Sequence, residues 1–337
     1  MLQGEKTVER QLCHRPAGSM DGEDPAGFFH RLVSLVTAGP SLVAPRNLTL
    51  PWATVIDLHT HSAVSDGSDA PARIPELAAR AGCSAVALTD HDNLSGLAEA
   101  RLSADRAGVT LVPGCEVSCK PDGLGPRPSV HVLVYFVEDG DGPLQSELRS
   151  LRADRRQRNT MLVQRLSELG VSVDYDKLVS DAGGEEGLGR PHFARALVDL
   201  GVANNIDDAF ERWLGNGAPA YVPKGRLVPS DVARLAKGSG GVAVLAHPLT
   251  LGLEPGGLER LATELSDAGF SGLEAVYGRY SPEQRSGLTA IARAAGLVPT
   301  GGSDYHGSFK PDLSVGSGTG DLDVPESALE ELAARRA

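Results

Sequence analysis

Thr54-Val55-Ile56-Asp57-Leu58-His59-Thr60-His61 is the stretch from which the fold can be read. Residues 54–58 form a short apolar run with β-branched side chains, enough for a buried strand and too short for a helix. Two histidines follow at positions i and i+2. In extended backbone such residues project to one face, so both imidazoles can reach a single ion. The pattern recurs downstream. Buried strands are expected at 85–89, 109–113, 130–137, 242–246, 272–276 and 297–300, and helices at 74–81, 96–106, 258–268 and 282–295 separate most of them. Alternating strands and helices imply an α/β fold with a parallel sheet, and seven strands favour an irregular barrel.

One interval breaks the rhythm. Between the strands at 130–137 and 242–246 lie about a hundred residues without a convincing strand. Residues 144–169 are strongly helical and rich in Arg, and 191–201, 206–214 and 230–238 read as further helices. Residues 144–238 are therefore expected to form an inserted helical subdomain, a substrate lid, between barrel segments 54–143 and 239–337. Residues 1–53 read as an N-terminal extension without an assigned purpose. It carries a short amphipathic run at 28–36, and Met20 offers an alternative start.

Length and composition bound the function. The chain has 337 residues, 41% of them apolar and 23% charged, which suits a barrel with an insertion and excludes a mainly disordered chain. Acidic residues outnumber basic ones 44 to 32, a net charge of −12, which argues against holding a long nucleic-acid duplex. Any phosphate must therefore be captured by a local charge that opposes the global one. Cys13, Cys83, Cys115 and Cys119 are too few for a disulfide framework and read as reduced thiols of a cytoplasmic protein. No segment approaches 18 consecutive apolar residues, so no membrane partner is expected.

The placement of the nine histidines is the main chemical signal. After His59 and His61 comes Asp66 in Ser65-Asp66-Gly67, where a turn can fold the carboxylate back. His91 follows the second strand in Thr89-Asp90-His91-Asp92, and Glu116 follows the third in Gly114-Cys115-Glu116. His131 lies on the fourth strand, His247 ends the fifth in Ala246-His247-Pro248, and Ser303-Asp304-Tyr305-His306 follows the last. Taken singly each piece is commonplace: a core histidine, a polar turn, a lone acid. Together, six imidazoles and three carboxylates sit mostly at strand ends, which converge on one face of a parallel barrel. This mixture of N and O donors can hold more than one divalent ion and suits Zn²⁺, Mn²⁺ or Fe²⁺ better than Ca²⁺ or Mg²⁺. Asp57, Asp90 and Asp92 read either as acceptors fixing imidazole tautomers or as solvated turn acids. Cys115 and Cys119 read as buried thiols.

This set of motifs, spread over residues 54–310, resembles the PHP (polymerase and histidinol phosphatase) family. The resemblance implies a distorted (β/α)7 barrel with three divalent ions. One would take His59, His61, Glu116 and Asp304; a second Glu116, His131 and His247; a third Asp66, His91 and His306. Six positive charges against three carboxylates leave a basin of about +3, the local reversal that phosphate capture requires. Glu116, His247 and Asp304 would be the catalytic residues of a metal-assisted phosphoester hydrolysis that needs no side-chain nucleophile.

Within the insertion, Arg155-x-x-Arg158-Asn159, Gly189-Arg190-Pro191-His192-Phe193-Ala194-Arg195, Ala209-Phe210 and Pro219-Ala220-Tyr221-Val222-Pro223-Lys224 resemble the branch of nucleoside 3′,5′-bisphosphate phosphatases and 5′→3′ exoribonucleases. The implied substrates are nucleoside 3′,5′-bisphosphates, losing the 3′-phosphate, and short 5′-phosphorylated oligoribonucleotides. Arg155, Arg158, Asn159, Arg190, His192 and Lys224 are the candidate substrate-binding residues, because guanidinium forks match phosphate oxygens. The plainer alternatives are a solvated charged helix face, and a His192 that only anchors a helix start. Tyr221, Phe193 and Tyr305 are the aromatic candidates for a base. Competing functions are a phosphatase of another small monoester, such as histidinol phosphate, and a non-catalytic phosphate-binding module. The complete ligand set argues against the latter.

Overall fold

The computed structural model describes residues 55–121, 129–185, 187–223, 225–254 and 256–336. The expected N-terminal extension with its amphipathic run and Met20, and also Lys224, lie outside the described residues. Seven strands form one sheet in sequence order: β1 (Val55–Asp57), β2 (Cys83–Leu88), β3 (Thr110–Cys119), β4 (Val130–Tyr135), β5 (Val242–Leu245), β6 (Gly272–Tyr277) and β7 (Val298–Gly302). The sheet is not wholly parallel. β4 pairs antiparallel with both neighbours, whereas the other strand pairs are parallel. Only ten residues lie between β3 and β4. That is short of the dozen or more that a parallel crossover needs. The same pairing explains why β3 outruns its expected end. Gly114–Cys119 continues as a partner for β4 beyond Pro113, which sits opposite Leu88 at the end of β2.

The sheet is nearly closed into a barrel. Leu58 N donates to the Gly301 carbonyl at 3.2 Å, and Asp304 N donates to the His59 carbonyl at 2.8 Å. The close approach requires Gly302, where an added Cβ would lie 2.4 Å from His59 N. The interior is filled by Ile56, Leu58, Ala87, Leu133, Tyr135, Val244 and Val298, together with Leu322, Val324, Ala328 and Leu332 from the C-terminal segment. Val55, the first residue of β1, bridges Pro325. The C-terminal segment thus packs at the end of the barrel away from the ligand-bearing strand ends.

Helices α1 (Arg73–Arg80) and α2 (Leu97–Ala107) cross between the first three strands. Between β4 and β5 run α3 (Pro143–Glu168), α4 (Tyr175–Asp181), α5 (Arg190–Asp199), α6 (Ile206–Ala209) and α7 (Pro229–Gly238), with a π-helical turn over Phe210–Leu214. Then come α8 (Gly257–Asp267), α9 (Pro282–Ala294) and α10 (Ser327–Ala333). α4 and α10 are absent from the helices expected above, being only seven residues each and too short for a periodic signal.

Helix α3 belongs to two cores. Leu144 and Leu148 near its start join the barrel's outer core beside Val232 and Ala236 of α7. Leu162 and Leu166 near its end join a separate cluster with Leu178, Leu188, Phe193, Leu197 and Leu214. Each such buried side chain contributes about 1.5–3 kcal/mol relative to exposure. No helix among the described residues is long and apolar enough to cross a membrane.

Candidate metal centre

The strand ends deliver the expected side chains to one place. Each of the nine has a nitrogen or carboxylate oxygen within 3.6 Å of another member of the set. Nε2 of His59 and Nε2 of His61 face each other at 3.1 Å. Glu116 Oε2 lies 3.4 and 3.2 Å from those atoms, and Asp304 Oδ1 lies 3.5 Å from both. Glu116 Oε1 meets His131 Nδ1 at 2.9 Å and His247 Nε2 at 3.0 Å. Asp66 meets His91 Nε2 at 3.6 Å and His306 Nε2 at 3.2 Å.

Three groups have ligand atoms mutually within 4.8 Å: His61, Asp66, His91 and His306; His59, His61 and Asp304; His91, Glu116 and His131. They overlap with the implied ion sets without coinciding, since His61 and His91 each serve two groups. The residues fit divalent ions. Buried imidazole nitrogens converge on one another and on carboxylates, and His91 Nδ1 is buried without a hydrogen-bond partner. Eight of the nine belong to these groups; His247 is in none of them and reaches the cluster through Glu116 Oε1 at 3.0 Å.

The electrostatics favour the ligand state at Glu116 and His61, whereas the carboxylates around His59 and His247 raise those two imidazoles. Burial alone would raise the Glu116 carboxyl, but His91, His131 and His59 outweigh it and hold the group well below the usual range. Burial and the neighbouring His306 push the His61 imidazole down to about 3. An ionised carboxylate and a neutral imidazole are the forms that bind a cation. Strain is concentrated here too. Among the described residues four non-glycines have positive φ, and His247 (27°), Asp304 (55°) and Asp92 (52°) are three of them. Such conformations cost about 1–3 kcal/mol each and persist where surrounding contacts enforce them.

Those contacts come from buried carboxylates. Asp57 accepts from the backbone N of His59, Ser303 and Gly316, joining β1 to the segment after β7. Asp90 accepts from Ser62 N, Ser62 Oγ and Ser65 Oγ. Asp92 accepts from Ser118 N and from Arg155 at 2.5 Å. All three are buried, so the solvated-turn alternative fails. The tautomer-fixing alternative fails as well for Asp57 and Asp90, which hold backbone and hydroxyls. The carboxylate that backs an imidazole is Glu274, at 2.8 Å from His59 Nδ1. Sequence reading missed it, together with Tyr277 and Lys310, which reach Asp304 Oδ2 at 2.7 and 2.6 Å. A glutamate inside an otherwise apolar strand was the available signal.

Beside the ligands lies a cationic basin. A cavity of about 230 Å³ is lined by Arg155, Arg158, Gly189, Arg190, Pro191, Phe210 and Arg226. A second cavity of about 280 Å³ is lined by Asp66, His91, His131 and His192 and shares Arg155, Gly189, Pro191 and Arg226 with the first. Arg190 lies 5.8 Å from the Phe210 ring centroid and 6.0 Å from that of Tyr221. Burial, then the like charges of Arg155, Arg190 and Arg226, lower Arg158 to about 10. Arg226 was missed because it lies outside the quoted motifs.

Other candidates turn elsewhere. Asn159 lines neither cavity; it is fully buried, donates to the Leu188 carbonyl and accepts from Arg158 Nη2. His192 Nδ1 accepts from Gly189 N at 3.2 Å, anchoring the start of α5, while the residue also lines the second cavity. Phe193 is fully buried in the insertion's own core and cannot meet a base. Tyr305 donates its hydroxyl to Asp69. Cys115 and Cys119 are buried free thiols, and burial pushes Cys115 up, away from the thiolate form.

The family description "PHP domain" matches residues 57–176. The chain is 33% identical to a 3′,5′-nucleoside bisphosphate phosphatase of Chromobacterium violaceum, over 77% of this chain and 90% of that one. It is 31% identical to a 5′-3′ exoribonuclease of Haemophilus influenzae, over 74% and 89%. Among solved structures, a candidate metal-dependent phosphoesterase from Bifidobacterium adolescentis superposes with a TM-score of 0.68 at 31% identity, covering 86% of this chain and 98% of that one. Likeness over so much of both chains, in sequence and in fold alike, makes this chain a member of the PHP family.

Proposed function

We propose that this metal-dependent phosphoesterase acts on nucleotides that carry two phosphates in reach of one another. The substrates would be nucleoside 3′,5′-bisphosphates, losing the 3′-phosphate, and short 5′-phosphorylated oligoribonucleotides. The observation that carries this reading is the arginine basin, which shares a wall with the ligand-lined cavity. One phosphate would sit among the metal ligands and the other between Arg158 and Arg190, whose forks match its oxygens.

Three divalent ions (Mn²⁺, Zn²⁺ or Fe²⁺), held by the nine candidate ligands, would supply Lewis acidity and an activated water. The chain's own groups do the remainder. Arg155, tied to Asp92, fixes the wall between the two cavities. Tyr277 and Lys310 occupy one oxygen of Asp304 and leave the other facing His59 and His61. The inserted helices, as the substrate lid, bring Arg158, Arg190 and His192 over the ligands. No serine or cysteine nucleophile is required.

The test compares turnover by metal-loaded enzyme on a nucleoside 3′,5′-bisphosphate, the matching 3′-monophosphate, a 5′-phosphorylated trinucleotide and histidinol phosphate. Losing the second phosphate forfeits charge-assisted hydrogen bonds of about 1.5–3 kcal/mol each, so kcat/KM should fall about 100-fold or more from bisphosphate to monophosphate. Equal rates on those two, or faster turnover of histidinol phosphate, would overturn the proposal. A chelator should abolish activity on every substrate.

A further inference from the structure

Strand β6 supplies none of the nine ligands, yet it carries the carboxylate that orients two of them. Within Gly272-Leu273-Glu274-Ala275-Val276-Tyr277, Glu274 is 0% exposed. The pairing with β7 slips between Glu274 and Val276, and a strand irregularity of this kind re-aims the side chain beside it. Both carboxylate oxygens are engaged. Oε1 lies 2.8 Å from His59 Nδ1, and Oε2 accepts from the backbone N of His247 at 2.7 Å. His59 comes from the end of β1 and His247 from the end of β5, so one side chain spans two separate ligand-bearing segments. His247 needs such support, because its φ of 27° is a conformation that L-residues rarely adopt.

A carboxylate that accepts from Nδ1 places the imidazole proton there and leaves Nε2 bare. Nε2 of His59 is the atom that faces His61, Glu116 and Asp304. His247 likewise directs Nε2 to Glu116, at 3.0 Å. We infer that Glu274 is a positioning residue of the metal centre, one carboxylate that sets the tautomer of His59 and the turn of His247 so that both present Nε2 to the ions. A glutamine cannot do both. Its single carbonyl oxygen accepts from one partner, and its amide then turns a donor towards the other. The inference rests on the metal-centre reading above.

The experiment titrates zinc into metal-stripped wild type and Glu274→Gln against a competing chelator. Elemental analysis and the melting temperature of both metal-free proteins accompany the titration. The variant should bind zinc about 10- to 100-fold more weakly, the size usual for losing a ligand's hydrogen-bond partner. It should recover most of its kcat when the metal is raised in compensation. Zinc affinity within threefold of wild type overturns the inference alone, whereas a wild type that binds no divalent ion overturns the metal centre with it. Because the variant can fail to fold, a second measurement uses only zinc-loaded wild type. Imidazole ¹⁵N–¹H correlation, assigned to His59 by the signal lost in His59→Gln, should show a solvent-protected proton on Nδ1. A proton on Nε2, with Nδ1 turned to the ion, overturns the inference.

Discussion

Replacing Arg158 by methionine should make the protein more stable and a poorer catalyst at low substrate. Arg158 is only 7% exposed, and burial with three neighbouring guanidinium groups brings it to about 10. Set against the ordinary 12.5, at 1.36 kcal/mol per pH unit the charged form is disfavoured by about 3 kcal/mol. Methionine removes that charge at similar length but leaves the fully buried Asn159 Oδ1 without its Arg158 donor, a cost of about 2 kcal/mol. A gain of about 1 kcal/mol remains, or roughly 2 °C in Tm for a domain of this size. The same arginine would grip the phosphate that is not cleaved. Its loss should raise KM for a 3′,5′-bisphosphate about 30- to 150-fold, the equivalent of 2–3 kcal/mol, with kcat within about threefold. Differential scanning fluorimetry and steady-state kinetics on one preparation measure both. Added sulfate should raise the wild-type Tm more than that of the variant, since an anion in the basin relieves the same repulsion. A lower Tm with unchanged KM would show Arg158 to be a structural strut and refute the basin as a phosphate site.

Glu116→Gln should lower turnover by about 10³-fold or more and reduce bound metal, because this carboxylate touches several imidazoles, those of His59, His61, His91, His131 and His247; wild-type metal content with wild-type turnover would remove it from the centre. In chelator-treated protein, the His61 imidazole takes a proton only near pH 3 when folded but near 6.5 when unfolded. The unfolded chain binds more protons between those values, so this group's contribution is fully present above pH 6.5. It is lost as pH falls towards 3, with a slope of up to about 1.4 kcal/mol per pH unit. Denaturant titrations of wild type and His61→Asn should therefore converge in stability from pH 7 to pH 5, and a gap constant with pH would refute the assignment. Gly302→Ala should destabilise the protein by more than about 3 kcal/mol, since the new methyl meets His59 backbone at 2.4 Å; a loss under about 1 kcal/mol would mean that the barrel seam yields easily.

The sequence disclosed more of the site than of the frame around it. The gathering of the nine candidate ligands was legible because each sits in or near a short motif after an apolar run, and barrel topology converts chain position into spatial position. The direction of β4 was not, since an apolar run looks the same whichever way it is laid against its neighbours. Glu274 escaped because its partners are 215 and 27 residues away and no local pattern announces them. Arg226 escaped for a related reason: a basin is defined by how helices pack, and Arg226 is the one lining residue that fell outside the quoted motifs. Asn159 shows the opposite error. It lies in a motif with Arg158, yet it points inward to Leu188.

The reversal of β4 dictates the later course of the chain. Its last residue, Tyr135, pairs with Val242, the first residue of β5, so the chain departs from the rim opposite the ligands. It must climb back before it can touch a substrate, and α3 is that climb, 26 residues or about 39 Å. Arg152 and Arg155, halfway up, reach the Asp92–Asn93 corner just above β2. The span of this one rod therefore sets the height at which Arg155 and Arg158 sit relative to the candidate metal ligands. Adding or removing a full turn in its lower half would keep the helix phase and move that pair by about 5 Å. Related chains could thus be retuned to longer or shorter ligands by helix length alone, leaving every metal-binding residue untouched.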